Sequence, residues 1–278
     1  MSQKTLAYVS AYQYYALTQA KTARERTQFL TTFKRVLEER IPEDIEVKIK
    51  KIEFRVDDRI SIQLIGNNTD ELKFVASLFK ELTGEIMNAN NIPKNKPIVG
   101  QLTSVGKIGF GLFLDVGIEG PSKEVLIPLF RLRQQLVNGE KKSTAQIIEL
   151  YGFMDHMTVE IEITKITYEK KGKPMIEGEF SDRFLKFLHL KVHDRHEIIF
   201  TTGASRQMVK KTIAKRGHSV DIVQIDRIGP LETAVICKPG TTAAGIIAHI
   251  GQFIPHCRMS IFKPARVSAF WKQISNEK

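Results

Sequence analysis

The run Lys107-Ile108-Gly109-Phe110-Gly111-Leu112-Phe113 sets two aromatic rings beside a lysine, the first ring flanked by glycines. An exposed ring at such a turn can stack a nucleobase, worth ~1–3 kcal/mol per base, while a nearby cation meets the backbone phosphate. Phe110, Phe113 and Lys107 are therefore candidate contacts to single-stranded nucleic acid. Filling a hydrophobic core is the other use of the same rings.

Two further segments suit phosphate. Thr201-Thr202-Gly203-Ala204-Ser205 and Lys238-Pro239-Gly240-Thr241-Thr242 each put glycine and hydroxyl residues just before a predicted helix. The first N–H groups of a helix lack intrahelical acceptors and favour an anion. The strands leading into these turns are expected to run parallel at the centre of one sheet, so that both turns share a sheet edge and one phosphate bridges them. Thr202, Gly203, Ser205, Gly240, Thr241 and Thr242 are the candidate phosphate contacts, with Arg206 and Lys238 beside them. Arg206, Lys210, Lys211, Lys215 and Arg216 fall along one side of the helix after the first turn. Such a stripe can track phosphates in a salt-sensitive way. Helix capping by Ser and Thr, and corner turning by Gly, are the ordinary roles of these residues.

Other chemistries find less support. Neither glycine turn fits the phosphate loop GxxxxGK[ST]. His189, His193 and His196 share one face if helical, but no cysteine or paired carboxylate completes a metal set;. Cys237 and Cys257 stand alone, which speaks against a zinc site or a disulfide framework;. No nucleophile–base–acid pattern stands out, and Ser205 and Asp221 read as a cap and a loop residue;. The expectation is a protein that is not an enzyme, with no catalytic residues, metal or cofactor.

The charge balance agrees with a polyanionic partner. The net charge is +11 and the pI near 9.5. Residues 1–95 hold 15 Lys+Arg against 13 Asp+Glu, residues 96–182 hold 11 against 12, and residues 183–278 hold 16 against 6. The last third thus carries nearly all of the excess. No apolar run approaches the ~20 residues of a membrane span, and the first residues lack the apolar core of a signal peptide. A cytoplasmic location and no membrane contact are expected.

The elements that must position these residues fall into three domains. In 1–95, a strand at 6–9, a helix at 22–39, strands at 47–54 and 60–65 and a helix from 69 give a βαββα α+β module;. In 96–182, short strands at 98–105, 110–116, 124–128, 158–167 and 174–180, with glycine at the bends, suggest a small closed barrel;. A turn is expected at 170–173, and a polar, partly helical insertion at 131–150. In 183–278, a helix at 183–193 precedes strands at 197–200, 220–226, 233–237 and 258–262 and helices at 204–215 and 243–253. This βαββαβ order is that of a ferredoxin-like unit.

The run Gly100-Gln101-Leu102 through Gly109-Phe110-Gly111-Leu112-Phe113-Leu114-Asp115-Val116-Gly117 resembles the S1 RNA-binding domain, an OB barrel. Val125-Leu126-Ile127-Pro128 looks like its third strand, and the segments from Met157 and Met175 look like its last two. The chain as a whole resembles a conserved archaeal family of unassigned function, carried by Cys237-Lys238-Pro239-Gly240-Thr241-Thr242-Ala243-Ala244-Gly245 and Phe262-Lys263-Pro264. The resemblance implies RNA as the partner, such as ribosomal or transfer RNA or a ribosomal subunit. Two other functions stay open: an adaptor binding proteins of the transcription or translation machinery, and a nucleotide-dependent enzyme built on the glycine turns.

Overall fold

The computed structural model describes residues 3–14, 18–88, 91–94, 96–119, 124–168 and 174–276. Strand β1 (Lys4–Val9), helix α1 (Ala23–Glu38), strands β2 (Lys48–Phe54) and β3 (Ile60–Gly66) and helix α2 (Thr69–Thr83) form the first module in the expected order. β3 lies between β1 and β2, antiparallel to both. Its period-two pattern turns Ile60, Ile62 and Leu64 inward, into one core with Phe29, Phe33 and Phe79 of the helices;. Thr22 and Glu25 close a capping box at the start of α1;. A two-residue strand, β4 (Met87–Asn88), follows.

Strands β5 (Pro97–Thr103), β6 (Gly111–Asp115), β8 (Glu124–Pro128), β9 (Thr158–Tyr168) and β10 (Pro174–Phe180) close a barrel in the order β5-β6-β8-β10-β9. All its pairings are antiparallel except that of β8 with β10. Strand β7 (Ile118–Glu119) stands outside the barrel and pairs in parallel with β4, which ties the first module on. At two residues each, these strands are too short to show an alternating pattern;. The insertion after β8 forms helices α3 (Leu129–Val137) and α4 (Thr144–Tyr151), fastened by the Tyr151 hydroxyl, which donates to Leu136 O at 2.6 Å. The turn expected at 170–173 lies outside the described residues.

The last part starts with helix α5 (Asp182–His193) and continues as β11 (Ile198–Thr202), α6 (Arg206–Lys215), β12 (Ile222–Arg227), β13 (Glu232–Cys237), α7 (Ala243–Ile250) and β14 (Arg258–Phe262). Helix α8 (Pro264–Asn276), which the sequence reading missed, ends the described chain. The sheet order is β12-β13-β11-β14, with every neighbouring pair antiparallel. The central strands β11 and β13 are therefore antiparallel, not parallel as the sequence reading had them.

Both faces of this sheet are covered. Ile199, Val235 and Ile225 join Val209 and Ile213 of α6 and Ile246 and Ile250 of α7 in one core. Ile198, Phe200, Ala234, Ile236 and Phe262 belong to the other face and share the barrel's core, together with Phe184 and Leu188 of α5 and Val267 of α8. The rings of Tyr151 and Phe262 stack across the junction at 5.9 Å. Barrel and sheet thus share one apolar interior. Among the described residues, no helix is long and apolar enough to cross a membrane.

Candidate nucleic-acid interface

The loop between β5 and β6 turns at Ser104 and Gly106, both at positive φ, and the Asp155 carboxylate accepts from the Val105 N–H at 2.7 Å. The helices behind it fix its exit. Thr144 Oγ1 donates to Gly109 O at 2.6 Å, and the Leu129 N–H donates to Phe110 O at 2.8 Å. A side chain at Gly111 would run into Ile127 O, so glycine is required for β6 and β8 to approach here;. With its backbone pinned, Phe110 projects outward and is 57% exposed.

Phe113 lies half-buried on the outer face of β6, opposite Thr103 and Leu126. Its ring meets Phe110 edge-on, with centroids 5.9 Å apart. Lys107 is exposed in the same loop. Nearby, Phe130 is exposed with the Arg131 guanidinium 5.4 Å from its ring, and Met175 is exposed on β10. Carboxylates edge this surface: Glu124 accepts from Thr103 Oγ1 at 2.8 Å, and Glu179 pairs with Arg131 at 3.3 Å.

The two glycine turns are not brought together. In the register of β11 with β13, Thr202 faces Glu232 while Ile198 faces Ile236. The turn after Thr202 and the turn after Cys237 therefore leave opposite ends of the sheet, roughly 17 Å apart for strands of this length. The single phosphate expected to bridge Thr202, Gly203 and Ser205 with Gly240, Thr241 and Thr242 cannot reach both. The turns also use their own donors. The N–H groups of Gly203 and Ala204 both donate to Leu231 O, and Ser205 Oγ caps the Met208 N–H at 3.3 Å. At the second turn, Thr241 N–H donates to Lys238 O and Ala243 N–H to the Glu197 carboxylate. A carboxylate of the chain itself thus holds the place of an anion at the start of α7.

The basic stripe on α6 divides. Lys210, Lys211 and Lys215 are exposed and form no ion pair among the described residues. Arg206 instead donates through Nε to Ile225 O at 2.7 Å, and Arg216 stacks on the Phe253 ring at 3.2 Å. Lys238 is exposed beside the second turn. The three histidines of the HxxxHxxH run go separate ways: His189 meets the Trp271 ring edge-on, His193 bonds Asp194, and His196 bonds Cys237 O.

Two buried ionisable groups escaped sequence reading. Arg59, 5% exposed in its side chain, reaches both Asp115 oxygens at 3.2 Å, approaches Asp57 and donates to Ala11 O. It joins the first module to the barrel. Burial pushes the Asp115 carboxyl up, while the Arg59 charge opposes this;. Glu232 is fully buried at the start of β13. One of its oxygens accepts from the Leu231 N–H, the other has no hydrogen-bond partner among the described residues, and burial pushes its pKa up to about 8. Nothing in the run Leu231-Glu232-Thr233-Ala234 marked this carboxyl as interior.

Fold and surface together define a multidomain α+β protein built round a closed five-stranded barrel, with an aromatic pair where a loop enters one barrel strand. Residues 93–189 match the DUF2110 central domain and residues 196–261 match the DUF2110 C-terminal domain. Together these matches take in more than half of the chain, which belongs to the DUF2110 family. No curated protein matches the chain.

Proposed function

We propose that this chain is a non-catalytic, cytoplasmic RNA-binding protein whose barrel acts as an S1-like OB fold beside a ferredoxin-like sheet. In this reading the second and third barrel strands, β6 and β8, and the loop before β6 carry the nucleic acid, as in OB barrels generally. The observation that carries it is Phe110, exposed on a pinned loop and braced edge-on by Phe113. Lys107 supplies a cation in the same loop, and Lys210, Lys211 and Lys215 supply a free basic stripe elsewhere. Ribosomal or transfer RNA, or a ribosomal subunit, suits such a combination of stacking and charge. The test is fluorescence anisotropy with a short single-stranded oligoribonucleotide at low salt. Binding that Phe110→Ala weakens supports the proposal, and no binding of single-stranded or structured RNA sinks it.

A second reading has its own observation. Phe110, Phe130 and Met175 are exposed apolar side chains, with Glu124 and Glu179 nearby. An apolar surface edged by carboxylates also suits a basic protein of the transcription or translation machinery. A complex recovered with the native protein that survives nuclease treatment favours this adaptor role.

A further inference from the structure

Where the outer face of the barrel, helix α5 and the β12–β13 hairpin meet, the chain leaves a cavity of about 450 Å3, inside the range of roughly 300–1,000 Å3 typical of small-molecule sites. Phe184, Phe187 and Phe200 line it together with Val99 and Ile228. Two wall residues, Thr158 and Arg227, carry buried polar atoms, Oγ1 and Nη1, that have no hydrogen-bond partner among the described residues. Buried polar groups are seldom left in this state. The other terminal nitrogen of Arg227 is held by Glu39 at 3.3 Å, so the guanidinium is anchored with one donor spare. Both atoms are sealed behind the cavity wall, so a ligand reaches them only if Thr158 turns about χ1 or Arg227 lets go of Glu39.

Charge selects the ligand. Arg183 pairs with Glu160 at 3.4 Å, Arg227 pairs with Glu39, and Asp226 accepts from Gln224 at 2.8 Å. Two guanidiniums and two carboxylates line the cavity, so the charges of its wall balance, while the Lys191 ammonium lies outside the lining, 5.6 Å from the centroid of the Phe187 ring. Apolar rings with a spare donor suit a flat, uncharged ligand whose edge accepts hydrogen bonds. We propose that this cavity holds a single nucleobase, its face against Phe187 and an edge acceptor on Arg227 or Thr158. The base arrives either in a free nucleoside or turned out from an RNA strand. The proposal does not depend on the Phe110 surface.

The test uses saturation-transfer NMR on the full chain, with the four ribonucleosides in one arm and a short single-stranded oligoribonucleotide in the other. At least one nucleoside is expected to bind, and to keep binding as salt is raised, since no charge pair is involved. Phe187→Ala is expected to abolish the signal. Thr158→Val, which keeps the shape and drops the hydroxyl, is expected to weaken it about tenfold. Nucleoside binding with this pattern identifies a free ligand. Binding of the oligonucleotide alone, lost in Phe187→Ala and retained in Phe110→Ala, identifies a base turned out from RNA. If Phe187→Ala lowers the melting temperature, Thr158→Val decides. The proposal is overturned if neither arm binds, if binding ignores both cavity variants, or if Phe110→Ala alone removes it; the last result leaves the barrel reading standing.

Discussion

The Glu197 carboxylate accepts the backbone N–H of Ala243 at 2.7 Å, at the first residue of α7. An acidic side chain therefore caps the helix whose start had looked like a phosphate site. Replacing a side-chain helix cap costs about 0.5–2 kcal/mol. Glu197→Ala is expected to cost stability in that range, seen as a lower urea midpoint with an unaltered unfolding slope. Thr241→Ala is expected to leave RNA affinity unchanged, because the turn has no donor to spare at Ala243. Urea unfolding checks the first outcome, and anisotropy titration with RNA checks the second.

Phe110 owes its exposure to backbone anchors at Gly109 and Phe110. Removing an exposed ring opens no cavity, so Phe110→Ala is expected to leave the melting temperature nearly unchanged. Its effect belongs to binding: a loss of about 1–3 kcal/mol per stacked base in affinity for single-stranded RNA. Phe113→Ala is expected to cost affinity too, and some stability, since Phe113 is half-buried and braces its neighbour. An affinity loss confined to Phe113→Ala would show that the bases lie elsewhere.

The three lysines on α6 act through charge alone if they act on RNA. For single strands each neutralised phosphate adds about 0.7 to the slope of log affinity against log salt. Changing Lys210, Lys211 and Lys215 together to Gln is expected to reduce that slope by about 2. Titrations at several potassium chloride concentrations measure it. An unchanged slope would leave the stripe as a solvated helix face.

Much of this architecture was readable because local patterns suffice for it. Glycines around Phe110 marked a bend, and the alternation of Val159, Ile161 and Ile163 marked a barrel strand. Pairing direction was not readable. Period-two alternation reports a strand but not whether its neighbour runs with it, and the phosphate site failed on that point;. Helix α8 did leave a signal: Pro264 suits a first helical position, and Val267, Phe270 and Trp271 recur at helical spacing;. Its role, closing the second face of the sheet, depends on contacts far away in sequence. The same holds for Thr158 and Arg227, which line one cavity only when barrel and sheet are assembled.

Arg59 and Asp115 lock two parts of the chain that share little backbone hydrogen bonding. Removing one partner of a buried pair strands the other charge and costs about 3–5 kcal/mol. Arg59→Ala is expected to destabilise the chain by that order and to expose the joint around Ala11 and Gly117 to limited proteolysis. Arg59→Ala together with Asp115→Asn is expected to recover part of the loss, because no unpaired charge stays buried. A double variant no better than Arg59→Ala would show that the bond to Ala11 O matters more than the ion pair.

Glu232 gives stability a pH dependence of the opposite sense to a salt-bridged carboxylate. Its pKa rises from 4.5 to about 8 on folding, so between these values the folded chain binds the proton that the unfolded chain has lost. Stability then falls as pH rises, because the unfolded state holds fewer protons. The contribution is complete below the unfolded value and is lost through the folded one. Urea midpoints are expected to decline from about pH 5 to about pH 8 and then level off as Glu232 ionises;. Glu232→Gln keeps the shape, removes the titration and is expected to flatten the decline, leaving the variant more stable than wild type at alkaline pH. A variant with the same decline as wild type would assign it to another group. A variant less stable at every pH would mean that the amide NH2 fits the site less well than the protonated carboxyl, since the acceptor for the Leu231 N–H is kept;.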